Sequence, residues 1–279
     1  MALGAIVLWA SLAAISVELA QVPPFLLTGV ALLVGSLPGW FVVLRHPAAW
    51  NIPSRTLAMG VCGLFGYHFL LFIALRHAPP VQANLVNYLW PLFIVLLAPV
   101  LLPGMRLKPR HLLAALAGFA GAALAILGGD PHAGPAGFTT EQGWGYAAAL
   151  GAALTWAIYS VLTRRVPAFP TAAVGLFALV SGLLALFCHA WLEPSVTLNA
   201  RQWWLIVACG LGPLGAAFYL WDAALKKGDP QQIGVLSYLT PLASTAVLLS
   251  STDQPLRMSL VGAALLIVGG AFVATRDRR

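Results

Sequence analysis

The sequence predicts an all-α integral membrane protein with ten transmembrane helices, arranged as two inverted five-helix repeats. Only 8% of its 279 residues are charged and 60% are hydrophobic, whereas about a quarter of the residues in an average soluble domain are charged. Apolar segments alternate with turn-forming or charged residues, and the two halves of the chain share sequence blocks. So few charges cannot cover a soluble surface, which excludes a water-soluble enzyme or nucleic-acid-binding domain.

Each apolar segment is close to the roughly 20 residues that a helix needs to cross a bilayer. The ten segments are residues 2–20, 24–44, 56–76, 81–102, 110–128, 143–163, 171–192, 202–225, 231–251 and 257–275. The longest connection lies at the midpoint of the chain. We therefore expect a first repeat over residues 1–128, an extracellular or periplasmic linker over 129–142, and a second repeat over 143–279.

The distribution of Lys and Arg predicts the orientation in the membrane. If the N-terminus is cytoplasmic, every Lys and Arg lies in a cytoplasmic loop except Arg76, Arg201 and Arg257. Cytoplasmic loops carry an excess of basic residues. The sequence therefore predicts that both termini are cytoplasmic.

The internal repeat is read from two aligned blocks. Residues 74–92 match residues 224–242 at an offset of 150, with eight identities in nineteen positions, and residues 3–10 match 150–157. Because each repeat has five helices, the second must enter the membrane inverted. Inverted repeats are typical of secondary transporters, whose binding site lies between the repeats near the bilayer midplane.

Polar residues on the fourth segment form one face of the predicted helix. Asn84, Asn87, Tyr88 and Pro91 follow helical spacing, and Trp90 flanks them. The ninth segment carries a similar stripe of polar and proline residues: Ser237, Tyr238, Pro241, Ser244 and Thr245, with Thr240 beside it. These stripes are expected to line a cavity, although polar side chains also hydrogen-bond neighbouring helices in membranes.

Aromatic and ionisable residues within the spans extend this set. Trp9 and Trp156 occupy equivalent mid-span positions, and Tyr159 follows one turn later. His68 is an intramembrane ionisable residue with three open interpretations, namely a neutral structural histidine, a substrate contact or a proton-coupling group. Glu18 and Asp222 lie near helix ends, and both are expected to be solvated.

The prolines at equivalent positions of the fourth and ninth segments predict helix interruptions. A proline lacks the N–H for the helical hydrogen bond and clashes with the preceding turn, so Pro91 and Pro241 should kink their helices near Asn87 and Ser237. We expect the two prolines to be gating hinges. The alternative is a static bend tolerated for packing.

Charge within the membrane limits the substrate. No Lys or Arg lies mid-span, which disfavours phosphate-bearing substrates. No Asp or Glu is clearly mid-span either, which disfavours a cationic drug as the substrate. A neutral zwitterion with an apolar or aromatic side chain fits best. The sequence contains no nucleotide-binding, catalytic or metal-binding motif, so no enzyme activity, cofactor or metal is expected.

Several motifs resemble one known family. They are Tyr67-His68-Phe69, residues 74–78, 82–85 and 87–92, Trp156 and residues 236–241. The sequence is similar to the EamA-type branch of the drug/metabolite transporter (DMT) superfamily, and most similar to its YddG-type aromatic amino acid exporters.

The resemblance implies a multi-pass protein of the bacterial inner membrane. It would export aromatic and other neutral amino acids by alternating access, through a cavity between helices 1, 3, 4, 6, 8 and 9. The alternative substrate is a purine or drug-like small metabolite. The candidate substrate-binding residues are Trp9, Tyr67, His68, Asn84, Asn87, Tyr88, Trp90, Trp156, Tyr159 and Tyr238. The expected partners are a small-molecule substrate and membrane lipid, with no nucleic acid and no obligate protein partner.

Overall fold

The protein is helical throughout the part of the chain that the computed structural model describes, which is residues 1–127, 140–251 and 258–275. The α-helices are α1 (Ala2–Glu18), α2 (Pro24–Arg45), α3 (Ser54–Val61), α4 (Tyr67–His77), α5 (Pro80–Asn87), α6 (Trp90–Leu101), α7 (Pro109–Leu127), α8 (Thr140–Leu162), α9 (Ala173–Leu192), α10 (Ala200–Leu211), α11 (Ala217–Lys227), α12 (Pro230–Leu236), α13 (Leu239–Ser251) and α14 (Met258–Thr275). These ranges contain no β-strand, so the all-α prediction is confirmed there.

Within the residues that the structure describes, eight helical stretches are long and apolar enough to cross a membrane. They are Pro24–Arg45, Ser54–His77, Pro80–Leu101, Pro109–Leu127, Gln142–Leu162, Ala173–Leu192, Ala200–Lys227 and Met258–Thr275. The first predicted segment corresponds to α1, which has 17 residues, and the ninth corresponds to α12 and α13. Most of the predicted linker, 129–142, lies outside the described residues, and α8 begins inside it at Thr140.

Among the described residues, three of these eight stretches are interrupted, and so is the run from α12 to α13. The π-helical turns Cys62–Gly66 and Gly212–Ala216 separate α3 from α4 and α10 from α11. Residues 88–89 separate α5 from α6, and residues 237–238 separate α12 from α13. The predicted interruptions near Asn87 and Ser237 are confirmed, each just before a proline that cannot continue the hydrogen-bond ladder.

Close helix packing depends on glycine at the contact between α2 and the second π-helical turn. A Cβ added at Gly35 would lie 2.7 Å from the carbonyl oxygen of Leu214 and 2.9 Å from the Cα of Gly215. Small residues allow backbones to approach closely where lipid provides no hydrophobic drive for association. This contact holds α2 against the interrupted stretch that continues into α11.

The expectation that Asp222 is solvated is wrong. Its side chain is buried, accepts a hydrogen bond from the hydroxyl of Thr171 at 2.7 Å, and pairs with the Lys226 ammonium at 2.7 Å. A charged partner and a hydroxyl donor offset the cost of removing the carboxylate from water. Glu18 does remain partly exposed, and it pairs with Arg201 at 3.1 Å.

Candidate binding cavity

A cavity of about 850 Å³ runs into the protein between α1, α2, α4, α5, α6, α7, α8, α11 and α13. Its mouth lies where α1 ends and α2 begins, since the lining residues Val17 and Ala20 are exposed there. Its inner end is closed by aromatic residues. The volume is within the range of sites that hold small molecules.

Four tryptophans form the inner end of the cavity, and we call Trp9, Trp90, Trp156 and Trp221 the indole cluster. All six pairs of ring centroids lie between 5.1 and 6.5 Å apart. Trp9, Trp90 and Trp156 line the cavity, and Trp221 is buried behind them. Offset and edge-on ring packing of this kind is favourable, so the cluster is a well-packed apolar surface.

Hydrogen bonds fix two of these indoles. The Trp9 Nε1–H donates to the Pro213 carbonyl at 3.1 Å, and the Trp221 Nε1–H donates to the Ser160 hydroxyl at 3.0 Å. Pro213 lies in the second π-helical turn. Buried indole N–H groups usually need a partner, and these bonds hold Trp9 at the cavity and Trp221 behind it.

One side wall of the cavity is polar. The Asn87 Nδ2 donates to the Tyr67 hydroxyl at 3.2 Å, and Asn84 and Tyr88 lie on the same wall. Within the described part of the chain, the Asn87 Oδ1 and Thr240 Oγ1 atoms are buried without a hydrogen-bond partner. Because buried polar atoms are normally satisfied, these two are candidates to bind a polar ligand.

His68 faces the cavity with a defined tautomer. Its Nδ1 lies 2.7 Å from the carbonyl oxygen of Leu64, and a carbonyl only accepts hydrogen bonds, so Nδ1 carries a hydrogen. In the neutral ring, Nε2 is then an acceptor. The ring packs 5.0 Å from Tyr67 and 6.3 Å from Phe218, which holds it in place at the cavity wall.

The lining is uncharged over the residues that the structure describes, since no Lys, Arg, Asp or Glu contributes to it. No cluster of three potential metal-ligating side chains occurs in the same ranges. An ion would therefore enter the cavity without a compensating charge, which is costly. A ligand without net charge, carrying both polar and apolar groups, matches the lining.

Eight of the ten predicted binding residues line this one cavity. They are Trp9, Tyr67, His68, Asn84, Asn87, Tyr88, Trp90 and Trp156. Of the predicted hinge residues, Pro241 lines the cavity and Pro91 is buried outside it.

Tyr159 and Tyr238 do not line the cavity. Tyr159 is buried 5.3 Å behind Trp156. Tyr238 is buried against α7, where the absence of a side chain at Gly118 makes room for its ring, and Phe119 packs 6.5 Å away. Residues 237–238 form the interruption itself, so helical spacing from Pro241 does not place Tyr238 correctly.

Sequence reasoning missed several lining residues. Thr28 and Phe218 line the cavity, yet neither belongs to a polar stripe or a motif. A lone threonine near the start of an apolar span was the available signal for Thr28. Phe218 had none, because a phenylalanine in an apolar helix is indistinguishable from one that faces lipid.

Comparisons with known proteins find a family of transporters. The EamA-like transporter family matches residues 1–127 and 143–276. The aromatic amino acid exporter YddG of Ancylobacter novellus is 43% identical, over 97% of this chain and 94% of that protein. The YddG exporter of Salmonella typhimurium is 27% identical, over 90% of this chain and 88% of that protein.

A solved crystal structure has the same fold. The two chains are 42% identical, and the match covers 98% of this chain and 94% of the other. The TM-score is 0.92. The relatives are transporters and not enzymes. With its apolar helices, the chain is a multi-pass inner-membrane protein, and it belongs to the EamA-like transporter family.

Proposed function

We propose that the protein is a secondary transporter that exports aromatic and other neutral amino acids by alternating access. The observation that carries this proposal is the uncharged cavity, with an apolar indole surface at its inner end and a polar side wall. The names of the relatives as aromatic amino acid exporters support the same substrate class.

The two kinds of lining match the two parts of an amino acid. The ammonium group is bound by acceptors, the Asn87 Oδ1 and the His68 Nε2, while the carboxylate takes donors such as the Asn84 amide and Tyr88 hydroxyl. The aromatic side chain lies against the indole cluster. Hydrogen bonds to charged groups contribute about 1.5–3 kcal/mol each, and an aromatic contact adds about 0.5–1.5 kcal/mol beyond area burial.

The proposed architecture has ten transmembrane helices in two inverted repeats, 1–128 and 143–279, joined by a periplasmic linker, 129–142. Equal spacing of the helix irregularities supports it. The π-helical turns Cys62–Gly66 and Gly212–Ala216 are 150 residues apart, as are the starts of α5 at Pro80 and α12 at Pro230. The same offset aligns the repeated sequence blocks.

The proposed orientation has both termini in the cytoplasm, as the Lys and Arg distribution favours. The cavity mouth, between α1 and α2, then faces the periplasm, and the indole cluster separates the cavity from the cytoplasm. Single cysteines at Gln21 and Ala168 test this orientation in whole cells. An impermeant reagent should label the first and spare the second, and labelling of both from one side would refute it.

Flux measurements in liposomes test the substrate. Purified protein should carry labelled phenylalanine or tryptophan, and unlabelled neutral amino acids should compete, whereas lysine and glutamate should not. Flux of a nucleobase or drug-like metabolite, with none of any neutral amino acid, would refute the proposal in favour of the other substrate class. An imposed pH gradient in the same assay separates facilitated movement, which we favour, from proton coupling.

A further inference from the structure

The closed end of the protein is held by the loop between α8 and α9, residues 163–172, which we call the closed-end loop. Just beyond the indole cluster, Ser160, Thr163 and Asp222 are buried. The closed-end loop lies on this side, opposite the cavity mouth. Phe169 of the loop packs in the hydrophobic core, and several other contacts of the loop are polar and directional.

Both arginines of the loop bind the C-terminal ends of helices. The Arg165 guanidinium donates to the carbonyl of Leu101 at 3.1 Å, and the Arg164 guanidinium donates to the carbonyl of Gly228 at 2.8 Å. Leu101 ends α6, and Gly228 follows the last residue of α11. Carbonyls at a helix C-terminus lack helical partners and carry partial negative charge, so cations are favoured there.

Three further contacts join the loop to α11. The Thr171 hydroxyl donates to the Asp222 carboxylate at 2.7 Å. The Lys226 ammonium donates to the Phe169 carbonyl at 2.9 Å and lies 3.6 Å above the Phe169 ring. Lys226 also pairs with Asp222, so the buried carboxylate is bound from α11 and from the loop at once.

The two helices that the loop contacts, α6 and α11, provide residues that close the inner end of the cavity. Each begins after an interruption, α6 after residues 88–89 and α11 after the π-helical turn Gly212–Ala216. The start of α6 provides Trp90, while α11 provides Phe218 and Trp221. Interruptions of these kinds often mark hinges, so movement of α6 or α11 about its interruption would open the indole cluster.

We propose that the closed-end loop is a latch, which binds the far ends of α6 and α11 and so stabilises the conformation with the cavity mouth open. Removal of the contacts of the loop shifts the population toward the conformation that opens at the other end. That conformation does not contain these contacts, so their removal does not destabilise it. This inference rests on the alternating access of the proposed function. It assigns a conformational role to Arg164, Arg165 and Thr171, none of which lines the cavity.

Cysteine accessibility tests the latch without any substrate. Ser160→Cys, in a background whose native cysteines Cys62, Cys188 and Cys209 are replaced by Ala, places a thiol beyond the indole cluster. Labelling by a maleimide should be slow in this protein. We expect Thr171→Val to speed it on the order of tenfold, because a hydrogen bond to a charged group is lost. The double variant Arg164→Gln, Arg165→Gln should speed labelling about threefold, because the guanidinium donors that it removes are exposed.

The matched control is Arg76→Gln, which removes an arginine at the opposite end, where its guanidinium lies 3.8 Å from Glu193. It should leave Ser160→Cys labelling unchanged. A second reporter, Thr245→Cys in the cavity, should label more slowly in the latch variants. Unchanged Ser160→Cys labelling in latch variants that remain monodisperse, or an equal increase in the control, would overturn the proposal.

The arginine variant changes only exposed side chains, so the test stands even if Thr171→Val fails to fold. The labelling readout is also independent of transport. If the protein carries no amino acid but its latch variants label faster, the latch stands and the proposed substrate is refuted. If the protein carries amino acids but labelling of the latch variants is unchanged, the proposed substrate stands and the latch is refuted.

Discussion

The interrupted helices of the first and second repeats have the same backbone design and different side chains. At the sequence offset of 150, Asn87 corresponds to Ser237, Tyr88 to Tyr238 and His68 to Phe218. The first member of each pair lines the polar wall, whereas Ser237 and Tyr238 are fully buried away from the cavity and Phe218 is apolar. The repeat thus provides interruptions twice, but at these matched positions only the first repeat presents hydrogen-bonding groups to the cavity; the polar lining from the second repeat, Thr240, Ser244 and Thr245, lies farther along α13.

This difference teaches that duplicated geometry does not require a symmetric site. An amino acid has a charged end and a side chain, so a cavity with one polar wall binds it in one orientation. At the matched positions, the second repeat places Phe218 at the cavity and buries Ser237 and Tyr238 away from it. Substitutions at matched positions therefore separate the role of the interruption from the role of its side chains.

The largest effect is expected at the pair Asn87 and Ser237. Asn87→Ala removes the donor to Tyr67 and an unpartnered cavity acceptor, so phenylalanine transport should fall about 10- to 100-fold, as for a lost bond to a charged group. Ser237→Ala removes only a bond to its own helix, at the Ile233 carbonyl, and should transport within about twofold of the native protein. Liposome flux at several substrate concentrations measures both. Equal losses would show that the two repeats contribute alike.

The second prediction concerns the paired prolines. Pro91→Ala and Pro241→Ala allow the helical ladder to form across the interruptions, which stiffens hinges that transport requires. We expect the transport rate to fall about tenfold in each, while substrate binding, measured by calorimetry, changes by less than about threefold. Native rates in both variants, with normal folding, would show that the prolines only bend the helices.

A smaller effect is expected when His68 is replaced by phenylalanine, the residue type of its counterpart Phe218. His68→Phe removes the Nε2 acceptor but keeps a flat ring in the apolar contacts of the site, so the apparent affinity should weaken about three- to tenfold. His68→Gln should recover part of that loss, because its amide oxygen also accepts. Competition by phenylalanine in the flux assay measures the affinity. An unchanged affinity in His68→Phe would assign the histidine to packing alone.

The smallest effect is expected at the tyrosines of the two interruptions. Tyr88→Phe should reduce transport about threefold, because its hydroxyl lies on the polar wall. Tyr238→Phe should leave transport within about twofold, since its ring is buried against α7 and packing is retained. Parallel flux measurements on the two variants provide the comparison. A greater loss in Tyr238→Phe than in Tyr88→Phe would contradict the asymmetric wall.

The predictable part of the site follows from periodicity and proline chemistry. Asn84 and Asn87 share a face because α5 is regular across both, and the interruption before Pro91 follows from its missing N–H. Positions that depend on contacts between distant segments were not predictable. Asp222 looked like a helix-end residue that water could reach, but Thr171 of the loop and Lys226 of its own helix enclose it. The spacing of four residues between Asp222 and Lys226 is a local pattern, whereas no local pattern encodes the contact with Thr171.

The indole cluster also has an optical consequence. Four indole rings held within 6.5 Å of one another are close enough for their electronic transitions to couple, which gives ultraviolet circular dichroism that isolated tryptophans lack. Two of these rings come from each half of the chain, so the signal depends on both halves being seated against each other. The ultraviolet circular dichroism of the protein therefore reports whether the indole cluster is closed, without any attached dye.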